Sequence, residues 1–206
     1  METPLGILVL VLAYLAGAIP VGVILGKLLR GSDLRTIGSG STGTTNALRA
    51  YGPKVSAMVL IFDILKGAIP VLFAHALDRG PWIVGAVAVL TVVGHCWSPF
   101  IEFDGGKGVA TGAGALIALQ PWVAFSIFLM VAIVLLTHYV SLGSIVTAVT
   151  IGIVLSIAAL SDRVADPIAI AAVVIAAIIV WRHRGNIDRL IHGSERRISF
   201  RNRATA

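Results

Sequence analysis

The sequence predicts an all-α integral membrane bundle of seven transmembrane helices, with its N-terminus outside and its C-terminus in the cytoplasm. Three observations lead there. Of the 206 residues 57% are hydrophobic and only 13% are charged, whereas a soluble domain carries about 25% charged residues. Apolar runs recur at about the 20-residue length that crosses a hydrocarbon core. Lysines and arginines gather in two segments, 27–54 and Arg182 onward, and the positive-inside rule places both in the cytoplasm.

Taken in order, the first run is Leu5–Leu29. It lacks the basic leader of a signal peptide and has the length of a true span, so it is expected to stay in the mature protein. Val55–Leu77 and Trp82–Ile101 follow, and Leu142–Leu160 and Pro167–Trp181 come later. Between them Val109–Tyr139 runs for about 31 residues and is interrupted by Gln120-Pro121. As one helix it would extend about 46 Å, too long for one crossing and barely enough for two. Charge decides the count. An even number of crossings must separate the two cytoplasmic basic segments; four clear spans lie between them, so the interrupted run contributes two.

A single domain over residues 1–206 is expected, since no low-complexity linker or sequence repeat divides the chain. The one cysteine, Cys96, excludes an intramolecular disulfide, and no His/Cys/carboxylate spacing suits a metal. No metal or cofactor is expected. The net charge of +6 falls mostly on the inner face, where it attracts anionic lipid headgroups or phosphorylated metabolites without any need for nucleic acid.

Several polar segments share that face. Phe103–Thr111 reads FDGGKGVAT, a lone Lys107 among Gly105, Gly106 and Gly108 just before a helical run. Amides at a helix start would add to the lysine's attraction for phosphate. The motif is not a Walker A loop, because Gly108 follows the lysine where Ser or Thr is needed; the plainer reading is a tight turn with a snorkelling lysine. Gly38–Arg49 reads GSGSTGTTNALR, in which Gly43 and its fellow glycines turn amides inward while Ser39, Ser41, Thr44, Thr45 and Asn46 offer side-chain donors to an anion. A solvated loop is the alternative, and Arg49 favours function. WRHRGNID places Trp181 at the interface and His183, Arg184 and Asn186 just beyond it, as a site or as a topological anchor. Asp63 and Lys66 stand three apart on one face of the second span and either neutralise each other or line a site. Ser141 and Ser144 offer hydroxyls to a phosphate or cap a helix. His95, Trp97 and Pro99 are expected to shape the bundle, and His75 lies apart near the outer end.

In order, GSGSTGTTN, GHCWSPFIEFDGGKGVAT and WRHRGNIDRLIHGSE resemble the three signature regions of the bacterial acyl-phosphate-dependent glycerol-3-phosphate acyltransferases, over essentially the whole chain. The resemblance implies transfer of a fatty acyl group from acyl phosphate to the sn-1 hydroxyl of glycerol 3-phosphate, giving lysophosphatidic acid and phosphate, at the cytoplasmic face of the inner membrane. It points to Ser39, Arg49, Lys107, His183 and Asn186 as active-site groups. Gly43, Asn46, Gly105, Gly106 and Gly108 would support them, with Ser144 and its neighbour Ser141 as further substrate contacts. Three positions depart from the family pattern: Ser41 replaces the usual Asn, Thr44 the usual Ala, and Pro99 is shifted by one, which puts loop geometry in question rather than the reaction. His183-x-x-x-x-Asp188 also matches the spacing of soluble-type glycerolipid acyltransferases, though so short a match arises readily by chance. The base is left open between His183 and the acyl phosphate's own oxygens, and a covalent route through Ser39 is the mechanistic alternative. A transporter of an anionic phosphorylated metabolite is the alternative function. The expected partners are the two substrates and membrane lipids, with the protein acting as a monomer.

Overall fold

The computed structural model describes residues 3–198, and all regular structure among them is helical. Helices α1 (Thr3–Ala18) and α2 (Val21–Arg30) divide the first apolar run at Ile19-Pro20. Pro20 has no amide hydrogen and disfavours helical geometry in the residue before it, so the helix stops and restarts. The expected span Leu5–Leu29 is therefore two helices, although Pro4–Arg30 as a whole remains apolar and long enough to cross a membrane. A loop with a 3₁₀ turn at Leu34–Thr36 leads to α3 (Thr44–Tyr51). Gly52, at φ 83°, then breaks the chain before Pro53 opens α4 (Pro53–Ala76). Helix α5 (Pro81–Cys96) likewise opens on proline, whose missing N–H costs nothing in a first turn.

The interrupted run breaks where Gln120-Pro121 indicates, into α6 (Val109–Leu119), a 3₁₀ turn (Pro121–Phe125) and α7 (Ser126–Thr137). Helices α8 (Val140–Leu160) and α9 (Asp166–Arg182) follow, and α10 (Arg184–Ile191) bends away from α9 by 59° at His183. Among the described residues four helical segments are long and apolar enough to cross a membrane: Pro4–Arg30, Pro53–Ala76, Pro81–Ile101 and Val140–Leu160. The bent pair α9–α10 makes a fifth if it is counted as one span, and Val109–Leu119 and Pro121–Thr137 are shorter apolar runs.

Helix α5 sits at the centre, packed against α1, α4, α6 and α9, while α8 pairs with α9. Small residues set these distances. A Cβ on Gly17 would lie 2.1 Å from the Thr91 carbonyl oxygen, and one on Gly94 would lie 2.2 Å from that of Tyr14. The same reciprocal contact joins α4 to α6, through Gly67 on Thr111 and Gly114 on Ile64, each at 2.0 Å. Lipid offers helices little hydrophobic reason to associate, so close backbone approach supplies the attraction instead. Side chains such as Val87, Val92, Ala115, Leu155 and Ile175 fill the centre, whereas Leu8, Phe62, Leu135 and Ile157 are exposed on the outer faces. Helix α7 buries none of its residues.

A second, smaller core of Leu34, Ala47, Tyr51, Val55 and Val59 holds the first loop and α3 against α4. The polar segments meet at one end of the bundle: Arg182 reaches the 105–106 loop, Arg49 reaches Arg196, Ser141 reaches Glu195, and the Ile198 amide donates to the His138 carbonyl. Arg201 and Arg203 of the expected basic tail lie outside the described residues.

Candidate active site

The first loop is folded around Asn46. Its side-chain nitrogen lies 3.1, 2.9 and 2.9 Å from the carbonyls of Leu34, Ile37 and Ser41, and its oxygen accepts the Ser39 amide at 2.9 Å. Only 2% exposed, Asn46 shapes the loop and has no polar atom left for a ligand. Gly38 is required by this wrapping: it adopts φ +66°, and a Cβ there would sit 2.4 Å from the Asn46 oxygen. Gly43 is extended at the start of α3 and donates to the Ser41 hydroxyl at 3.4 Å. Ser41 therefore closes the turn, while Thr44 Oγ1 is buried without a hydrogen-bond partner among the described residues. Ser39 is exposed on the loop, and Arg49, on the last turn of α3, donates to the Arg196 carbonyl at 3.5 Å.

The second loop rests on the last turn of α5. The Gly105 and Gly106 amides donate to the Cys96 and His95 carbonyls at 3.2 and 3.0 Å, and their own carbonyls accept from Arg182 Nη2 and Nε at 2.8 and 3.0 Å. These two amides are thus committed within the protein and cannot serve the anion as expected. What the loop presents is the ammonium of Lys107. Gly108, at φ +81°, turns the chain into α6. Arg182, stacked 5.6 Å from the Trp97 ring centroid, is fixed in its clamp by that cation–π contact as well.

Lys107 Nζ donates to Asn186 Oδ1 at 2.5 Å. Asn186 in turn donates from Nδ2 to Glu195 Oε1 at 2.6 Å, which also accepts the Ser141 hydroxyl at 2.9 Å, and Arg189 Nε donates to Glu195 Oε2 at 2.8 Å. The 59° bend makes this possible, because it carries Asn186 sideways off the end of α9 and over the loop. Ser144 is not part of the chain of bonds; its hydroxyl donates to Val140 in its own helix. His183 is 3% exposed, with Nδ1 at 2.7 Å from the Ile179 carbonyl. That nitrogen must carry the proton, leaving Nε2 with its lone pair. Asp188 does not approach His183: it is exposed and lies 3.4 Å from His192 Nδ1, so the His-x-x-x-x-Asp spacing joins no functional pair.

Burial lowers the pKa of Lys107 to about 8, with Glu195 opposing and the arginines Arg189, Arg49 and Arg182 adding to the fall. Burial likewise pushes His183 down to about 4, so its imidazole is neutral. For Arg49 burial and then Arg196 lower the pKa. Burial raises Glu195, but hydrogen bonds from Asn186, Ser141 and Arg189 outweigh it and hold the carboxylate below its usual range. Beside Lys107 lies a cavity of about 200 Å³ walled by Arg35, Ser39, Ser41 and Arg182, with Asp104 at its edge. Asp33 grips Arg35 through both carboxylate oxygens, at 2.9 and 3.2 Å. Arg35 and Glu195 did not stand out in the sequence; the available signal for Glu195 was its place at the end of the third signature region, as one of two carboxylates, with Asp188, in an arginine-rich tail.

Residues 7–193 match the family model described as glycerol-3-phosphate acyltransferase. The chain belongs to that family. Among acyltransferases of this family, the glycerol-3-phosphate acyltransferase of Rubrobacter xylanophilus is 43% identical over 198 residues, covering 96% of this chain and 97% of its own. In shape the chain is similar to the crystal structure of PlsY (YgiH), an integral membrane glycerol 3-phosphate acyltransferase. The glycerol 3-phosphate form gives a TM-score of 0.86 at 38% identity, covering 94% of this chain and 96% of that one. The lysophosphatidic acid form gives 0.84 at 36% identity, covering 94% and 95%. The acyltransferase match ends two residues short of Glu195.

Proposed function

We propose that this acyltransferase moves an acyl group from acyl phosphate to the sn-1 hydroxyl of glycerol 3-phosphate, releasing phosphate and lysophosphatidic acid. The observation that carries the reading is the Lys107–Asn186 bond beside a cavity lined by Arg35 and Arg182. Both substrates bring phosphate, and the cations are present to receive it: Lys107, Arg35 and Arg182 for one phosphate, Arg49 and Arg189 for the other. The attacking hydroxyl oxygen bonds to the acyl carbon, the carbon–oxygen bond to phosphate breaks, and phosphate leaves with the electron pair. The hydroxyl proton passes to His183 Nε2 or to an oxygen of the departing phosphate. Because acyl phosphate is already activated, orientation and charge stabilisation supply the catalysis, and no covalent intermediate is needed.

In this reading the chain crosses the cell's inner membrane seven times as a monomer, with the site in the cytoplasm. The meeting of four polar segments at one end supports it, since each pair of helices between them, α4–α5, α6–α7 and α8–α9, must leave that end and return. The test is purified protein given glycerol 3-phosphate with acyl phosphate or with acyl-CoA, reading phosphate release and lysophosphatidic acid together. Product from acyl phosphate alone is expected. Equal product from acyl-CoA would overturn the donor assignment, and none from either would overturn the reaction.

A further inference from the structure

Directly under the lysine loop lies a polar cluster with no place in the reaction described above. Asp63, Lys66 and His95 are 1%, 9% and 6% exposed. Lys66 Nζ is 2.8 Å from Asp63 Oδ1 and donates to the Ile19 carbonyl, also at 2.8 Å. His95 Nδ1 stands 3.7 Å from the same Asp63 oxygen. The other edge of the imidazole meets the loop: a Cβ on Gly106 would lie 2.1 Å from His95 Nε2, and one on Gly105 would lie 2.1 Å from the His95 carbonyl oxygen. Lys107 is the next residue.

We propose that Asp63, Lys66 and His95 are positioning residues, a rigid seat that sets the height of Gly106 and through it the place of Lys107. The proposal rests on the reading of Lys107 as a phosphate-binding group. Mere packing does not call for these side chains, because a buried ion pair costs several kcal/mol per ion in desolvation before its attraction is counted, and apolar residues of similar size commonly pack as well or better. What the charges add is direction. They tie the chain just after α1 to α4 and α5 beneath the loop and hold the ring in one orientation, and a 1 Å error in a catalytic group costs about 10²-fold in rate.

Three sets of variants, assayed for kcat, KM and thermal midpoint, test it. Gly106→Ala should lower kcat/KM about 100-fold, and adding His95→Ala should restore about tenfold of that by removing the colliding ring. Asp63→Asn with Lys66→Met removes both charges at once and leaves no unpaired ion. It should fold, yet raise KM for glycerol 3-phosphate and lower kcat/KM about tenfold. If the Gly106 and His95 changes simply multiply, or if the Asp63/Lys66 pair variant changes only the thermal midpoint while kcat and KM hold, the cluster is packing and the proposal fails. Should Gly106→Ala not fold, the Asp63/Lys66 pair variant decides alone. Lys107→Ala separates the two readings: full activity there overturns the phosphate role itself, whereas inactivity there without coupling overturns only the seat.

Discussion

Lys107 combines a lowered pKa of about 8, set first by burial, with a proposed task, holding phosphate, that needs its charge. A cation with a depressed pKa is protonated below that value and neutral above it, so phosphate binding weakens as pH rises through about 8. Bound phosphate favours the ammonium, which pushes the group's titration upward in the complex. The basic limb of kcat/KM, which reports the free enzyme, should therefore fall at lower pH than the limb of kcat; coincident limbs in a steady-state pH profile would contradict this. Glu195 holds the Lys107 pKa up, so Glu195→Gln should move the kcat/KM limb to lower pH. It also weakens bonds to Asn186, Ser141 and Arg189, at about 1–3 kcal/mol, visible as a lower thermal midpoint. Lys107 stood out because it is a lone charge among glycines in apolar surroundings, whereas His183 and Asn186, set in a basic segment that could equally be an anchor, became candidates through the family resemblance. Glu195 was not legible, since a carboxylate in a basic tail reads as solvated until the tail is seen folded over the site. The commitment of the Gly105 and Gly106 amides was equally hidden: a glycine run shows that the backbone can approach something, not what it approaches.

At the scale of elements, the two reciprocal glycine crossings make a sharp prediction. Gly17→Val would place a Cβ at 2.1 Å from a backbone carbonyl that cannot move without moving α5. Overpacking of this kind costs about 1–3 kcal/mol, so the detergent-solubilised variant should melt at a lower temperature; an unchanged midpoint would show that α1 and α5 pack otherwise. Most helices were readable from apolar length alone, and Gln120-Pro121 marked its own break. The division of α1 from α2 was missed, because counting apolar residues ignores the missing amide of Pro20. Helix α10 was missed for the opposite reason: Arg184–Ile191 is too short and polar to register as a span, and its direction depends on a bend that composition does not encode. That bend is what brings Asn186 to Lys107.

For the molecule as a whole, the distribution of basic residues already located the polar segments on one face, and the fold brings those segments into contact. Orientation is open to direct measurement in a Cys96→Ala background. A cysteine at Asp162, in the exposed α8–α9 turn, should react with a membrane-impermeant thiol reagent in intact cells, whereas one at the exposed Lys54 should react only after permeabilisation. The reverse pattern would invert the assigned topology. What the sequence could not convey is assembly, because contacts such as Lys107–Asn186 and Ser141–Glu195 join residues far apart in the chain.

Those contacts also impose an order on biosynthesis. The ribosome delivers Lys107 to the membrane long before Asn186, Arg189 and Glu195 emerge, so a chain halted midway holds the lysine loop without the groups that complete its surroundings. If acyl phosphate is the donor as proposed, a truncated product lodged in the bilayer should be inert toward it rather than a wasteful hydrolase. The surroundings of Lys107 are therefore complete only once translation has passed Glu195.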